Sequence, residues 1–456
     1  MKNLTNLKAF KAYDIRGKWG EELTPEIVYR IGFFLPQILK ADKILVGRDA
    51  RLSSGDMFEA LTNGITDAGA DVADAGLSTT PMVYWGTGKL GFDASVMITA
   101  SHNPKDHNGL KVSGKDVKPI GYDNGLKEVE SLIEKSEPVI PHLVKGKIEK
   151  IGLKSSYLSF LRQYTDDFSG LKITVDCSDG MASLFIKELL GDGIDYMNCS
   201  PDGNFPAHEP NPLEPENRKQ IVDAVKSRKS DIGLIFDGDA DRVMFIDEKG
   251  NFVSPDLIIA LLGHHFFNGK EQVEGRKVVQ DIRTSKAVGE YLQQFDVEMI
   301  TWRVGRAYGA TKLKEVNGIY GGELAGHYYF RDFYYSDSGL VAALLVLKIV
   351  NRFRDEGITF SEMISRISSY FNTGEVNFKI ENKQVAMNAV KDWFLQNELP
   401  VKFYDFDGYR LEFADWWFNI RPSNTEPYLR FLAEARTKKL LDEKTKIIFN
   451  IITQFK

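Results

Sequence analysis

Several things are scarce in this sequence. It holds only two cysteines, Cys177 and Cys199, in 456 residues. That excludes the disulfide framework of a small secreted domain, and the pair reads as structural thiols in a reducing cytoplasm. Long apolar runs are missing too. The longest, GLVAALLVLKIV at 339–350, is too short for a bilayer and contains Lys348, so no membrane partner is expected. The opening segment MKNLTNLKAFKAYD lacks the apolar centre of a secretory signal. An excess of positive charge is also absent. The formal net charge of −6 leaves no electrostatic footprint for a nucleic-acid backbone. A small anion caught in a local basic pocket stays open. No low-complexity tract or tandem repeat occurs.

What is present is ordinary globular material, 43% hydrophobic and 27% charged, ample for a sizeable core. At roughly 100–200 residues per domain the length predicts two to four domains. Short β-rich runs alternate with amphipathic helical runs: KILVGRD, LKITVDC before MASLFIKELL, DIGLIFDGD, and KVVQDI before SKAVGEYLQQF. Such alternation predicts α/β units with mixed, mainly parallel sheets. It recurs in three blocks, 1–150, 151–250 and 251–367, with Pro-containing joins near 137–147 and 250–256. The last block, 368–456, reads as an α+β unit: an antiparallel sheet with helices on one side and a hairpin at Asp407-Gly408.

Four segments carry chemistry. In DGDADR (237–242) an apolar strand delivers Asp237, Asp239 and Asp241 at alternate positions. Three carboxylates so close repel unless a hard cation neutralises them, and Mg²⁺ fits oxygen ligands with room left for a phosphate. Arg242 adds a fixed fork for a phosphate oxygen. An EF-hand is excluded, because Arg242 stands where that loop needs glycine and a strand follows. TASHNP (99–104) places Ser101 just past a strand, where α/β sheets present functional groups. Taken alone it reads as a turn made by Asn103-Pro104 rather than as a nucleophile. RPSNTEP (421–427) combines an arginine with small polar side chains in an anion-binding pattern, with Arg430 nearby. GGELAGH (321–327) sets Glu323 on a glycine-flanked strand end that a ligand can approach closely.

Their order along the chain is more informative than any one of them. KAYDIRG, GRDARLSS, TASHNP, NGLK, DGDADR, GGELAGH and RPSNTEP together resemble the α-D-phosphohexomutases, nearest to the bacterial phosphomannomutase/phosphoglucomutase group. The resemblance covers nearly the whole chain. It implies three α/β domains and a C-terminal TATA-binding-protein-like domain around a central cleft. It implies reversible transfer of a phosphoryl group between C1 and C6 of a hexose phosphate, mannose or glucose, through phospho-Ser101 and a hexose 1,6-bisphosphate. That bisphosphate would also serve as activator, and Mg²⁺ would be held by Asp237, Asp239, Asp241 and the serine. By the same resemblance Arg16, Lys111, His102 and Arg242 attend the serine. Tyr13, Glu323, His327, Arg283, Arg306, Arg421, Ser423, Asn424, Thr425 and Arg430 face the substrate. The expected assembly is a monomer or weak dimer.

The pattern departs from the family at three positions. Members often carry a lysine in the segment matching DIRTS and a histidine in that matching WRVGRAYG; here they are Arg283 and Arg306. Arginine is not deprotonated in proteins, so neither serves as a base. His327, Lys286 or a phosphate oxygen is left for that task. Ala325 stands where the sugar-binding motif usually has serine. Alternative readings are a non-catalytic sugar-phosphate-binding homologue, a phosphoglucosamine mutase and a metal-dependent phosphatase.

Overall fold

The apolar run at 339–350 is the heart of the molecule. It forms the helix Gly339–Asp355, and the eight side chains from Leu340 to Leu347 are fully buried. The computed structural model describes residues 7–269, 274–423 and 428–455. Around that helix a continuous core joins residues of the first three sheets, whereas the C-terminal sheet has its own core around Phe378, Phe394, Trp416, Phe418 and Phe431.

The first sheet runs, in spatial order, Ile15–Lys18, His107–Gly114, Ala94–Ile98, Lys43–Arg48, Asp71–Leu77 and Ile148–Lys150, with Pro119–Ile120 beside the second strand. Its last four strands are parallel, and the first two close it antiparallel. The second sheet is Phe252–Val253, Val243–Asp247, Ile232–Phe236, Ile173–Asp176 and Asp195–Met197; the third is Glu298–Trp302, Lys277–Asp281, Tyr320–Gly322, Tyr328–Phe330 and Ser336–Asp337. Each repeats the plan of a three-stranded parallel core extended by antiparallel strands. The fourth sheet is antiparallel throughout, and helices Lys383–Asn397 and Lys438–Thr453 pack against it.

Local chemistry explains the helices that matter. Pro25–Leu39 begins at Thr24, whose hydroxyl accepts from the Ile27 amide, with proline at the first helical position. It lies against Ser54–Asp67 at backbone contact. A Cβ on Gly32 would sit 2.2 Å from the Leu61 carbonyl oxygen, and one on Gly64 2.1 Å from that of Tyr29. One expectation differs in detail: MASLFIKELL is a 3₁₀ turn, Met181–Leu184, followed by the short helix Ile186–Leu190. Between them Phe185 leaves helical geometry and is fully buried, edge-on to Tyr157. Core packing of one aromatic ring overrides local helix propensity there.

The site-bearing loops leave strand ends. The Ser101 loop follows Ala94–Ile98, the acidic loop follows Ile232–Phe236, and Glu323 follows Tyr320–Gly322. All three lie at carboxyl ends of parallel strands, the edge where open α/β sheets present ligands.

Candidate active site

Ser101 is buried and sits at φ +52°, a left-handed conformation that turns the chain sharply after the strand. Its amide donates to Thr99 Oγ1 at 2.8 Å, and its hydroxyl donates to Asp237 Oδ2 at 2.8 Å. His102 Nδ1 is 3.3 Å from the same hydroxyl oxygen. Burial, together with the charge of Arg242, holds the His102 imidazole well below its usual range, so it is neutral. Arg16 reaches the loop by donating to Asn103 Oδ1 at 2.7 Å and is steadied by Asp14.

The acidic loop brings its three aspartates together as expected. Asp237, Asp239 and Asp241 are fully buried, with ligand oxygens within 4.8 Å of one another. Lys111 Nζ donates to Asp239 Oδ2 at 2.6 Å and also to Asp241. Arg242 Nε donates to Asp237 Oδ2 at 2.8 Å. Burial pushes Asp237 up to about 7, against the pull of Arg242. Asp241 is held below the ordinary carboxylate value: burial works the other way, but Lys111 and His327 outweigh it. Oδ1 of Asp239 and Oδ1 of Asp241 have no hydrogen-bond partner although buried. Buried carboxylate oxygens left bare are costly. A small hard dication bound by oxygen would satisfy them, so these residues fit Mg²⁺. A second group, Asp241, His327 and Asp337, is also close enough to ligate. There Asp337 is already engaged, by Arg306 Nε at 3.0 Å and His327 Nδ1 at 2.6 Å.

The third unit contributes Glu323, whose Oε1 accepts from the Tyr329 hydroxyl and whose Oε2 accepts from the Gly305 amide at 3.3 Å. Burial raises its pKa. Arg283 is clasped by Asp281 through Nε at 3.0 Å and Nη2 at 2.8 Å, and Nη2 lies 4.0 Å from Glu323 Oε2. Arg306 lies 4.0 Å over the Tyr84 ring. Neither arginine lacks a carboxylate partner. His327 is raised above its usual value by Asp241 and Asp337 in spite of burial. Lys286 donates to the carbonyls of Phe413 and Ala414, and its charged neighbours are Glu412, Glu290, Arg436 and Arg410. It is not placed with the acidic triplet. Tyr13 donates to the Val304 carbonyl at 3.0 Å and meets Tyr308 edge-on.

From the fourth unit, Arg421 and Arg430 stand directly opposite each other on neighbouring antiparallel strands. Arg421 Nη1 is 3.4 Å from Asp407 Oδ1, while Arg430 Nη1 is 3.1 Å from Glu375. Burial and the charge of Arg283 lower the pKa of Arg421. Like charges opposed in this way favour an anion between them. Ser423 follows, its amide donating to the Tyr428 carbonyl. Asn424 and Thr425 lie outside the described residues.

Four contributors had no assigned role from sequence. Thr80 donates its hydroxyl to Asp239 Oδ2. Asp337 joins His327 to Arg306. Arg51 donates to four carbonyls of the serine loop, and Arg410 brackets Arg283 by donating to Ile282 O at 2.8 Å and Thr284 O at 2.6 Å. Arg51 belongs to GRDARLSS, whereas Thr80, Asp337 and Arg410 have no local signal for these roles, since the site groups they touch lie on other elements.

Comparison with known proteins agrees with this geometry. Family models for phosphoglucomutase/phosphomannomutase match in series: alpha/beta/alpha domain I at 7–139, domain II at 155–250, domain III at 254–370 and the C-terminal domain at 375–450. A phosphomannomutase of Vibrio cholerae is 38% identical, with 99% of each chain covered. One from Escherichia coli K12 is 36% identical over the whole of both. A crystal structure of a phosphoglucomutase/phosphomannomutase family protein from Burkholderia thailandensis superposes with a TM-score of 0.86, at 25% identity and 98% coverage of each chain. With all four domains matched in order, the chain belongs to the phosphoglucomutase/phosphomannomutase family and is an isomerase of the phosphomutase type.

Proposed function

We propose that this protein moves a phosphoryl group reversibly between C1 and C6 of a hexose phosphate, mannose or glucose, by way of phospho-Ser101 and a hexose 1,6-bisphosphate. The observation that carries this reading is the 2.8 Å contact of Ser101 Oγ with Asp237 Oδ2 at the edge of the buried triplet. In the first half-reaction the free sugar hydroxyl bonds to phosphorus while the bond from phosphorus to Ser101 Oγ breaks, and the hydroxyl proton ends on the departing Ser101 Oγ. The bisphosphate then turns over and its other phosphate returns to Ser101. Phosphoryl transfer of this kind asks mainly for positioning and charge.

The roles follow from the contacts. Ser101, Asp237, Asp239 and Asp241 would hold Mg²⁺, which when bound offsets the charge gathered by phosphate and carboxylates. Lys111, Arg242 and Arg16 supply fixed positive charge at the serine. Neutral His102 supports its hydroxyl. Glu323 accepts from sugar hydroxyls, with Tyr13 lining the approach. Arg283, Arg421, Arg430 and Ser423, joined by Asn424 and Thr425, grip the phosphate that is not reacting. His327, oriented by Asp337, handles the hydroxyl proton, and Arg306 stays charged beside it. Free hexose 1,6-bisphosphate would prime the unmodified serine. One sheet lies within each of 1–150, 251–367 and 368–456, which supports these as units, while the sheet of 151–250 runs on to its edge strand Phe252–Val253 and carries the second unit just past 250.

The test is a coupled assay with mannose 1-phosphate and glucose 1-phosphate, Mg²⁺ and a trace of bisphosphate, alongside intact mass. Wild type should carry one phosphate on Ser101, and Ser101→Ala should lose turnover on the order of 10⁴-fold. Near wild-type turnover in Ser101→Ala ends the proposal.

A further inference from the structure

The two cysteines of this chain are neighbours in space. Cys177 directly follows the strand Ile173–Asp176, and Cys199 lies two residues past its parallel partner Asp195–Met197. Both are thiols, and their sulfur atoms are 2.7 Å apart. Cys177 is buried, and burial pushes its thiol well above the ordinary value. Cys199 is half-buried and donates to the Met197 carbonyl at 3.1 Å. One accessible sulfur with a sequestered sulfur behind it is the arrangement of an attacking and a resolving cysteine.

We infer that Cys177 and Cys199 are a modification site, a dithiol that closes to a disulfide behind the acidic loop. Cys199 gives up its proton, and the thiolate attacks a low-molecular-weight disulfide, releasing one thiolate of the reagent. Cys177, deprotonated in turn, attacks Cys199 Sγ and releases the second. Two electrons and two protons pass from the cysteines to the reagent, which leaves as two thiols.

The place of the pair gives the bond a consequence. The residues after Cys177 hold the loop that carries the aspartates. Ser178 Oγ donates to Phe236 O at 2.6 Å, and the Met181 amide donates to Gly238 O at 2.9 Å. Those contacts bracket Asp237. Ser178 and Asp179 are both left-handed, at φ +52° and +50°, so this turn has little freedom to absorb a shift of Cys177. Closing the bond therefore alters the setting of Asp237. This last step rests on the proposed function; formation of the disulfide does not.

The experiment equilibrates the full chain with reduced and oxidised glutathione at rising oxidant ratio and reads turnover, then quenches with acid, alkylates under denaturing conditions that expose buried Cys177, and reads intact mass and peptide map. Expected are loss of both alkylatable thiols, no retained glutathione, a crosslink between the Cys177 and Cys199 peptides, and full reversal by dithiothreitol. Cys199→Ser should keep Cys177 alkylatable at every ratio. Native protein that keeps both thiols, or stops as a mixed disulfide at Cys199, overturns the site. Oxidised wild type should lose turnover several-fold while Cys199→Ser does not respond. A crosslinked protein with undiminished turnover overturns the link to Asp237, whereas a reduced protein without mutase activity counts against the proposed function.

Discussion

Arg51 Nη2 donates to the carbonyl oxygen of Ser101 at 3.0 Å. The same buried guanidinium also holds the carbonyls of Asn103, Pro104 and His107, and Asp49 offsets its charge. The backbone around the proposed nucleophile is thus fastened by one side chain from a different strand–helix junction of the same sheet.

Arg51→Lys tests this fastening. A lysine presents one point of donation where the guanidinium presents a fork. The carbonyls left without a donor cost about 1–3 kcal/mol each, and a misplaced Ser101 should lose turnover on the order of 10²-fold. Turnover and circular dichroism together check it. A folded variant with wild-type turnover would separate the loop from the chemistry.

Metal occupancy should be visible in stability. Mg²⁺ at a hundred times its dissociation constant is expected to stabilise the protein by about 3 kcal/mol, by binding the folded state alone. Asp239→Asn removes one of the three clustered carboxylates and should abolish that gain in urea titrations. A variant that still responds to Mg²⁺ like wild type would place the ion elsewhere.

Arg410 joins the fourth unit to the third. It is buried, donates to Glu412 Oε1 at 2.7 Å, stacks 3.8 Å from the Trp417 ring centre and donates on either side of Arg283. Arg410→Met leaves Glu412 buried without its partner, a loss of about 3–5 kcal/mol. It should also weaken substrate affinity by freeing Arg283. Unfolding curves and KM check the two effects separately, and an unchanged KM removes Arg410 from the positioning of Arg283.

Glu434 gives the same junction a pH dependence. Burial, reinforced by Asp256, pushes its carboxyl up to about 7 from the ordinary 4.5. The Ser285 hydroxyl and the Trp417 indole both donate to it. The folded state binds this proton more tightly than the unfolded chain. Its contribution is therefore complete below the unfolded value and is lost as pH rises through about 7, a change on the order of 3 kcal/mol. Glu434→Gln should flatten that part of the stability curve. A slope equal to wild type in the variant would reassign the titration.

How far the sequence reaches differs from element to element. The strands Lys277–Asp281 and Ile232–Phe236 coincide with the apolar runs KVVQDI and DIGLIFDGD, and the buried helix at 339–355 was legible as too short and too interrupted for a membrane. The acidic triplet was legible as a group, because alternate spacing on one short loop almost forces its oxygens together. MASLFIKELL was not, since Phe185 answers to Tyr157 and not to its own neighbours.

The sequence by itself determined the kinds of chemistry available: a serine past a strand, three close carboxylates, arginines that cannot give up a proton, and two cysteines. The tertiary structure alone decided what each of these faces. Ser101 and Asp237 are 136 residues apart in the chain and 2.8 Å apart in space, and Arg306 meets Tyr84 and Asp337 from separate elements. Local periodicity reports which face of an element is apolar. It holds no record of which loop of another sheet will close over that face, because packing and charge pairing between units choose it.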